Sequence, residues 1–361
     1  MTENDGVTSV TDMMTVDAPV APGAHAAPDA EGARKRRRRI IALILLGVLL
    51  LLLGSVIAWY LITRKPITAL PGVVVAQTPH YSYSLDNVVA PLGVAVTPDG
   101  SRIYVSGDGV NVPVVVLDRE GQTVGELKAP TAKGTPAMHT MQYVAIDPTN
   151  GEVYASDRIA KAVYVYSPDG AYLRTVQPTS LKATWEPLAI AFAPDGTLYV
   201  ADVRAKGGHQ IVAIDADGNV TRTLKVTDKG AGQLDYPNGL TVDANGNLIV
   251  ADSNNSRVLA FDRDGKPTVV AGSGVAAGDV GMPRGVVFDD SGSLLVVDTV
   301  NHVVDMFRPS GSPGKAEFTG SFGVEGIGDG QFEYPNGITT DTRSKVYVTD
   351  RVNNRVQVWS Y

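Results

Sequence analysis

Apolar and polar positions follow two different rhythms along this chain of 361 residues. From 40 to 62 there is no alternation: the 23-residue run IIALILLGVLLLLLGSVIAWYLI carries no charge. As a helix it would be about 34 Å long, enough to cross a bilayer core. Beyond residue 80 the rhythm shortens. Residues 239–242 and 247–251 are apolar runs separated by Asn245-Gly246, and the alternating run 257–261 is closed by Asp264-Gly265. Residues 268–271 follow as an outer strand. Short apolar runs cut by Asn-Gly and Asp-Gly predict strands joined by tight hairpins. No stretch of this region has the period of a long amphipathic helix.

The strand pattern recurs. Its marker is a Pro-x-Gly or an equivalent, at Pro91, Met141, Pro187, Pro237, Pro283 and Pro335, with steps of 50, 46, 50, 46 and 52 residues. Periods of about 40 to 50 residues predict four-stranded propeller blades. The last copy stops at Tyr361, after its third strand. An orphan strand-like segment lies upstream, residues 81–85, preceded by residues 73–76. One of these is expected to pair with residues 355–359, closing the ring and covering an exposed edge.

The fourth and sixth copies, GQLDYPNGLTVDANGNLIVADSNNSRVLAF and GDGQFEYPNGITTDTRSKVYVTDRVNNRVQVW, carry a resemblance. They are similar to NHL repeats, which implies an all-β, six-bladed β-propeller over residues 88–361. The resemblance weakens in the third and fifth copies and is faintest in the first two. The first reads Ser106-Gly107-Asp108 where the others end their second strand in Asp, and the second lacks the Pro.

Residues 1–33 are rich in Ala, Pro, Gly, Asp and Thr without apolar periodicity, which predicts disorder. Residues 34–39 are all basic, against Arg64 and Lys65 after the apolar run. This bias predicts a cytoplasmic tail (1–39), a single transmembrane helix (40–62) in contact with the lipid bilayer, a linker (63–79) and an extracytoplasmic propeller (80–361). Trp59 and Tyr60 fall where an interfacial aromatic belt would lie. A cleaved signal peptide is the rival reading. Its apolar core is usually roughly 7 to 15 residues and is followed by a small-x-small site, and neither holds here.

Composition narrows the function. The chain carries −7 overall, and beyond residue 65 it holds 23 basic against 32 acidic residues, a net of −9. An acidic propeller turned away from the cytoplasm predicts no nucleic-acid partner, although some NHL-type propellers bind RNA. There is no cysteine, so disulfides, thiolate metal sites and thiol nucleophiles are excluded.

The loop entering each inner strand opens at the mouth of the central channel. The residue after each marker is therefore a candidate lining residue: Leu92, Gln142, Leu188, Asn238, Arg284 and Asn336. The ligand-binding candidates are Gln142, Asn238, Arg284 and Asn336, with Glu186 as the nearest carboxylate. Lactonase-like propellers, similar in fold, hold a divalent metal at such a mouth through Glu, Asn and Asp. One Glu and two Asn form an incomplete set for a hard cation, even with Asp235 and Glu333 nearby. The expected cofactor is therefore none, a divalent metal being the minority reading. A histidine zinc site, as the amidating lyase of the NHL-like group implies, would need His139, His209 and His302 to meet, but only His139 lies near an inner-strand entrance, while His209 and His302 fall in loops after second strands, farther from the channel. They read instead as exposed loop histidines.

An Asp closes the second strand at Asp157, Asp202, Asp252, Asp298 and Asp350. Recurrence in five of the six copies favours a turn-building role, with Arg257 and Arg355 as partners, over catalysis. The stretches DADGN at Asp215 and DANGN at Asp243 read as hairpin turns and not as calcium loops. Trp185, Tyr236 and Tyr334 put aromatics near the mouth, for ligand stacking or for packing. The chain thus reads as a membrane-anchored platform for an extracytoplasmic protein or small ligand. The alternative is a metal-dependent hydrolase or lyase at the channel mouth.

Overall fold

The computed structural model describes residues 30–63, 77–131, 136–181, 185–204, 208–226, 232–310 and 315–361. The chain forms two compact units, Met1–Ile67 and Thr68–Tyr361. In the first, one helix runs over Ala30–Thr63. It starts before the apolar run and takes in the basic residues. Ala, Glu, Arg and Lys are good helix formers, and propagation from an existing helix avoids a new nucleus. The segment Arg34–Ser55 is long and apolar enough to cross a membrane. Residues 1–29, most of the predicted linker and residues 73–76 lie outside the described residues, as do the side chains of Trp59 and Tyr60.

The second unit is a six-bladed β-propeller. Five blades are consecutive four-stranded antiparallel meanders, with inner strands Pro91–Val96, Met141–Ile146, Pro187–Phe192, Pro237–Val242 and Pro283–Phe288. The sixth has inner strand Pro335–Thr340, then Lys345–Asp350 and Arg355–Ser360. Its outer strand is His80–Leu85, paired antiparallel with Arg355–Ser360 from His80 opposite Ser360 to Leu85 opposite Val356. The predicted closure is made by this segment.

Each inner strand packs against the next around a complete circle. Six apolar clusters follow, one between each pair of neighbouring blades. The strand alternation serves both faces of a blade. In blade five, Val304 and Met306 join the cluster toward blade six, while Phe307 joins the cluster toward blade four. Hydroxyls at the ends of the second strands stitch blade to blade. Ser106 Oγ donates to the carbonyl of Gln142 at 2.6 Å, Ser156 Oγ to Leu188 at 2.6 Å, Thr299 Oγ1 to Pro335 at 2.7 Å and Thr349 Oγ1 to Leu92 at 3.0 Å. The glycine of the repeat permits this approach: a Cβ on Gly239 would run into the carbonyl oxygen of Arg284.

The closing strand is anchored by Leu85, 2 % exposed, and by Tyr81, whose ring meets Trp359 edge-on at 6.1 Å. Leu85→Ala is expected to destabilise the propeller by about 2–5 kcal/mol, read as a lowered urea midpoint with unchanged slope. An unchanged midpoint would show that closure does not limit stability.

Candidate functional site

The recurring aspartates explain how the mouth loops are held. Asp157, Asp202, Asp252, Asp298 and Asp350 are fully buried. Each accepts backbone N–H groups from the loop that enters its own blade's inner strand. The donors include Thr140 at 3.1 Å, Glu186 at 3.0 Å, Asp235 at 2.7 Å, Gly281 at 2.7 Å and Glu333 at 2.7 Å respectively. Some also hold the loop that follows them: Asp157 accepts the N–H of Ala160 at 2.9 Å and Asp298 that of Asn301 at 3.4 Å. The second carboxylate oxygen takes a side chain: Arg204 in blade three, Arg257 at 2.7 Å in blade four and Arg355 at 2.8 Å in blade six. Blade five uses Asn301 at 2.8 Å, and blade two uses His139 at 2.8 Å. In blade one Gly107 takes the Asp position opposite Pro91, and Asp108 instead pairs with Arg351 of blade six. These carboxylates have the turn-building role that their recurrence implies.

The lining candidates divide into two groups. Leu92 and Leu188 are buried apolar residues that belong to the core. Asn238 and Asn336 approach one hydroxyl, that of Tyr143, whose oxygen lies 3.4 Å from Asn238 Oδ1 and 3.1 Å from Asn336 Oδ1. Blades two, four and six therefore meet through three side chains. Burial pushes the Tyr143 phenol up to about 12, against the opposing effect of nearby Arg284, so it remains a donor at neutral pH. Asn238 is oriented by donating to Ser253 Oγ at 2.9 Å and to the Tyr236 carbonyl at 3.2 Å. Asn336 is 1 % exposed, and its Nδ2 has no partner among the described residues. Gln142 Oε1 and Arg284 Nε are likewise buried and unpartnered among them. Unpaired buried polar atoms are costly and call for water or a ligand group.

Sequence reasoning missed Tyr143. The signal was present, because blades one, four, five and six have Gly at this inner-strand position while blade two has Tyr. Glu186 is held by its main chain: its N–H donates to Asp202, and its carbonyl accepts from Val203 at 2.9 Å. Among the described residues, no three His, Asp or Glu side chains converge as a metal site.

The histidines depart from the exposed-loop reading. His139 and His302 are buried, and His209 is partly buried. His209 Nδ1 accepts the N–H of Tyr236 at 2.8 Å, and His302 Nδ1 accepts that of Tyr334 at 3.2 Å. Each ring also meets that tyrosine edge-on, at 5.0 and 4.8 Å. Tyr236 and Tyr334 take left-handed backbone conformations, φ 50° and 52°, which ordinary residues adopt only when their surroundings impose it. Trp185 is fully buried between blades two and three, so its role is packing. The Asp215 and Asp243 segments are turns. Asp243 Oδ1 accepts the N–H groups of Asn245 at 2.9 Å and Asn247 at 2.8 Å, and Asp215 Oδ1 does the same for Asp217 and Asn219.

Residues 234–261 and 332–359 match the family model described as NHL repeat. No curated protein matches the chain. Among solved structures it is similar to virginiamycin B lyase from Staphylococcus aureus, at 15% identity and TM-score 0.53, covering 79% of this chain and 99% of that one. A streptogramin B lyase structure is also similar, at 15% identity and TM-score 0.55, covering 77% of this chain and 96% of that one. At this identity the likeness concerns the fold. The chain is a six-bladed β-propeller carrying NHL repeats, preceded by one apolar helix.

Two predictions follow from the buried carboxylates. Asp350→Ala leaves Arg355, 7 % exposed, without its counter-ion and is expected to cost about 3–5 kcal/mol in chemical denaturation. Asp305, in blade five, is pushed up to about 7 by burial and by Asp298. Folding raises this pKa, so stability falls as pH rises from about 4 through 7. Asp305→Asn is expected to raise the melting temperature above pH 7 and leave it unchanged near pH 4. Equal effects at both pH values would show that folding does not raise the Asp305 pKa.

Proposed function

We propose that this chain is a membrane-anchored recognition propeller that presents its channel-mouth face to an extracytoplasmic protein partner. The helix Ala30–Thr63 anchors it in the cell membrane, and the excess of basic residues before the span favours a cytoplasmic N-terminus. The observation that carries the recognition role is the contrast between the two faces. The mouth face bears exposed apolar side chains on its entry loops, Val89, Met138, Tyr236 and Tyr334. It bears more on the loops between second and third strands, Val110, Ile159, Val300 and Val352. The hairpins of the opposite face are turns such as 118–121, 215–218, 243–246 and 262–265, which begin with Asp and end with Gly. Among the described residues these turns carry no exposed large apolar side chain. Apolar groups collected on one face of a soluble domain mark an interaction surface.

Two of these side chains, Tyr236 and Tyr334, are held outward by strained backbone and a buttressing histidine, as hot-spot residues require rigid presentation. At the centre of the face, Gln142, Asn238, Arg284 and Asn336 supply polar groups, some without partners among the described residues, for a side chain or small ligand to engage. A metal-dependent hydrolase or lyase, which the lyase names of the similar structures bring to mind, finds no support in the donor set around Glu186.

A photo-crosslinking residue placed at Val300 or Tyr334 in the full chain, in membranes, is expected to give one discrete adduct. The same residue at Asp217, on the opposite face, is expected to give none. Arg284→Ala should weaken adduct formation about tenfold while the propeller stays folded. Adducts at Asp217 alone, or indifference to Arg284, would overturn the assignment of the mouth face.

A further inference from the structure

Blade two departs from the repeat in a way that creates a second site. In blades four and six the buried Asp is paired, across the strand register, with an Arg at the start of the third strand: Asp252 opposite Arg257 and Asp350 opposite Arg355. In blade two that position is Ala162, opposite Asp157. The long guanidinium side chain is missing, and His139 from the entry loop takes its place, with Nδ1 2.8 Å from Asp157 Oδ2. With the carboxylate as acceptor the ring donates from Nδ1, whose other close neighbour is the Tyr164 hydroxyl at 3.2 Å, and Nε2 is left as the second ring nitrogen. Nε2 has no hydrogen-bond partner among the described residues.

His139 is held firmly. Its N–H donates to Asn111 Oδ1 at 2.9 Å, its carbonyl accepts the Asn111 N–H at 2.8 Å, and its ring meets Tyr164 edge-on at 5.8 Å. His139 also lines a cleft of about 460 Å³ between blades one and two. The apolar walls are Val112, Pro113, Pro130, Pro136 and Met141. Among the described residues on the rim, the charged side chain is Lys128, which is paired with Glu126 at 3.1 Å. Asn111 is occupied in clamping the 137–139 segment. A ligand-sized, mostly apolar cavity with one preorganised polar atom has the usual make-up of a small-molecule site.

We propose that this cleft binds a small, neutral, largely apolar molecule through a hydroxyl or similar donor directed at His139 Nε2. The site shares none of the channel candidates: it lies between blades one and two, while Asn238, Arg284 and Asn336 belong to blades four, five and six.

The test uses the full chain in detergent or nanodiscs and three probes of one shape: 2-naphthol, naphthalene and 2-naphthoate. Ligand-observed NMR titration is expected to show 2-naphthol binding about fivefold tighter than naphthalene, the size of one neutral hydrogen bond. It should also bind tighter than 2-naphthoate. His139→Phe should abolish the preference for the hydroxyl. Val112→Trp, which fills the cleft and leaves the His139–Asp157 pair in place, should abolish binding of both neutral probes. This second variant guards against loss of fold in the first. Absence of 2-naphthol binding to the unaltered chain would overturn the proposal. So would binding that survives both substitutions, or a preference for 2-naphthoate, which would mark an anion site instead.

Discussion

A propeller blade is stable only when both of its faces are covered, and this geometric demand governs the rest of the molecule. Each blade is a four-stranded sheet with apolar residues on both sides, so each needs two neighbours, and only a closed circle supplies them. The chain meets the demand by returning His80–Leu85 to the edge of Arg355–Ser360. Without that strand, Arg355–Ser360 would be an unpaired edge beside Trp359, and the cluster between blades six and one would lose Leu85. Closure also joins the beginning and end of the propeller sequence, so contacts made by local hairpins become one rigid ring.

Within the circle, repeated positions do repeated physical work. The buried aspartates tie each entry loop to its own blade, and hydroxyls such as Ser156 and Thr349 tie one blade to the next. Departures from the repeat therefore stand out against a constant background. Tyr143 replaces a glycine and reaches toward Asn238 and Asn336. Ala162 replaces an arginine, and His139 moves onto the aspartate in its stead. Asp305 places a second carboxylate near Asp298 where blade six has Gln357. Each departure makes its blade chemically distinct, and two of them border the surfaces assigned to binding.

The difference between the two faces has a simple origin. Hairpin turns on the opposite face are short and need residues that accept turn N–H groups or adopt positive φ, which selects Asp and Gly. The mouth loops are anchored from below by the buried aspartates, so their outward side chains are free of that demand. Apolar residues such as Val300 and Tyr334 can then project there without disturbing the fold.

The blade count, the strand pattern and the closing segment were legible in the sequence, because strand alternation and turn chemistry are local and a repeat shows them many times over. The apolar run was legible as a bilayer-length helix for the same reason. The turn-building role of Asp252 and Asp350 could be argued from recurrence alone. Three things depended on the tertiary structure. The convergence of Tyr143, Asn238 and Asn336 joins residues far apart in the chain, and no local pattern encodes a distance across the channel. The burial of His139 and His302 arises from loops packing on neighbouring strands, which sequence spacing alone read as exposure. The cleft beside His139 lies where loops of blades one and two meet, and an empty volume has no residue to announce it. Local interactions specified the elements, and only the packing of distant elements decided which side chains meet and which spaces remain.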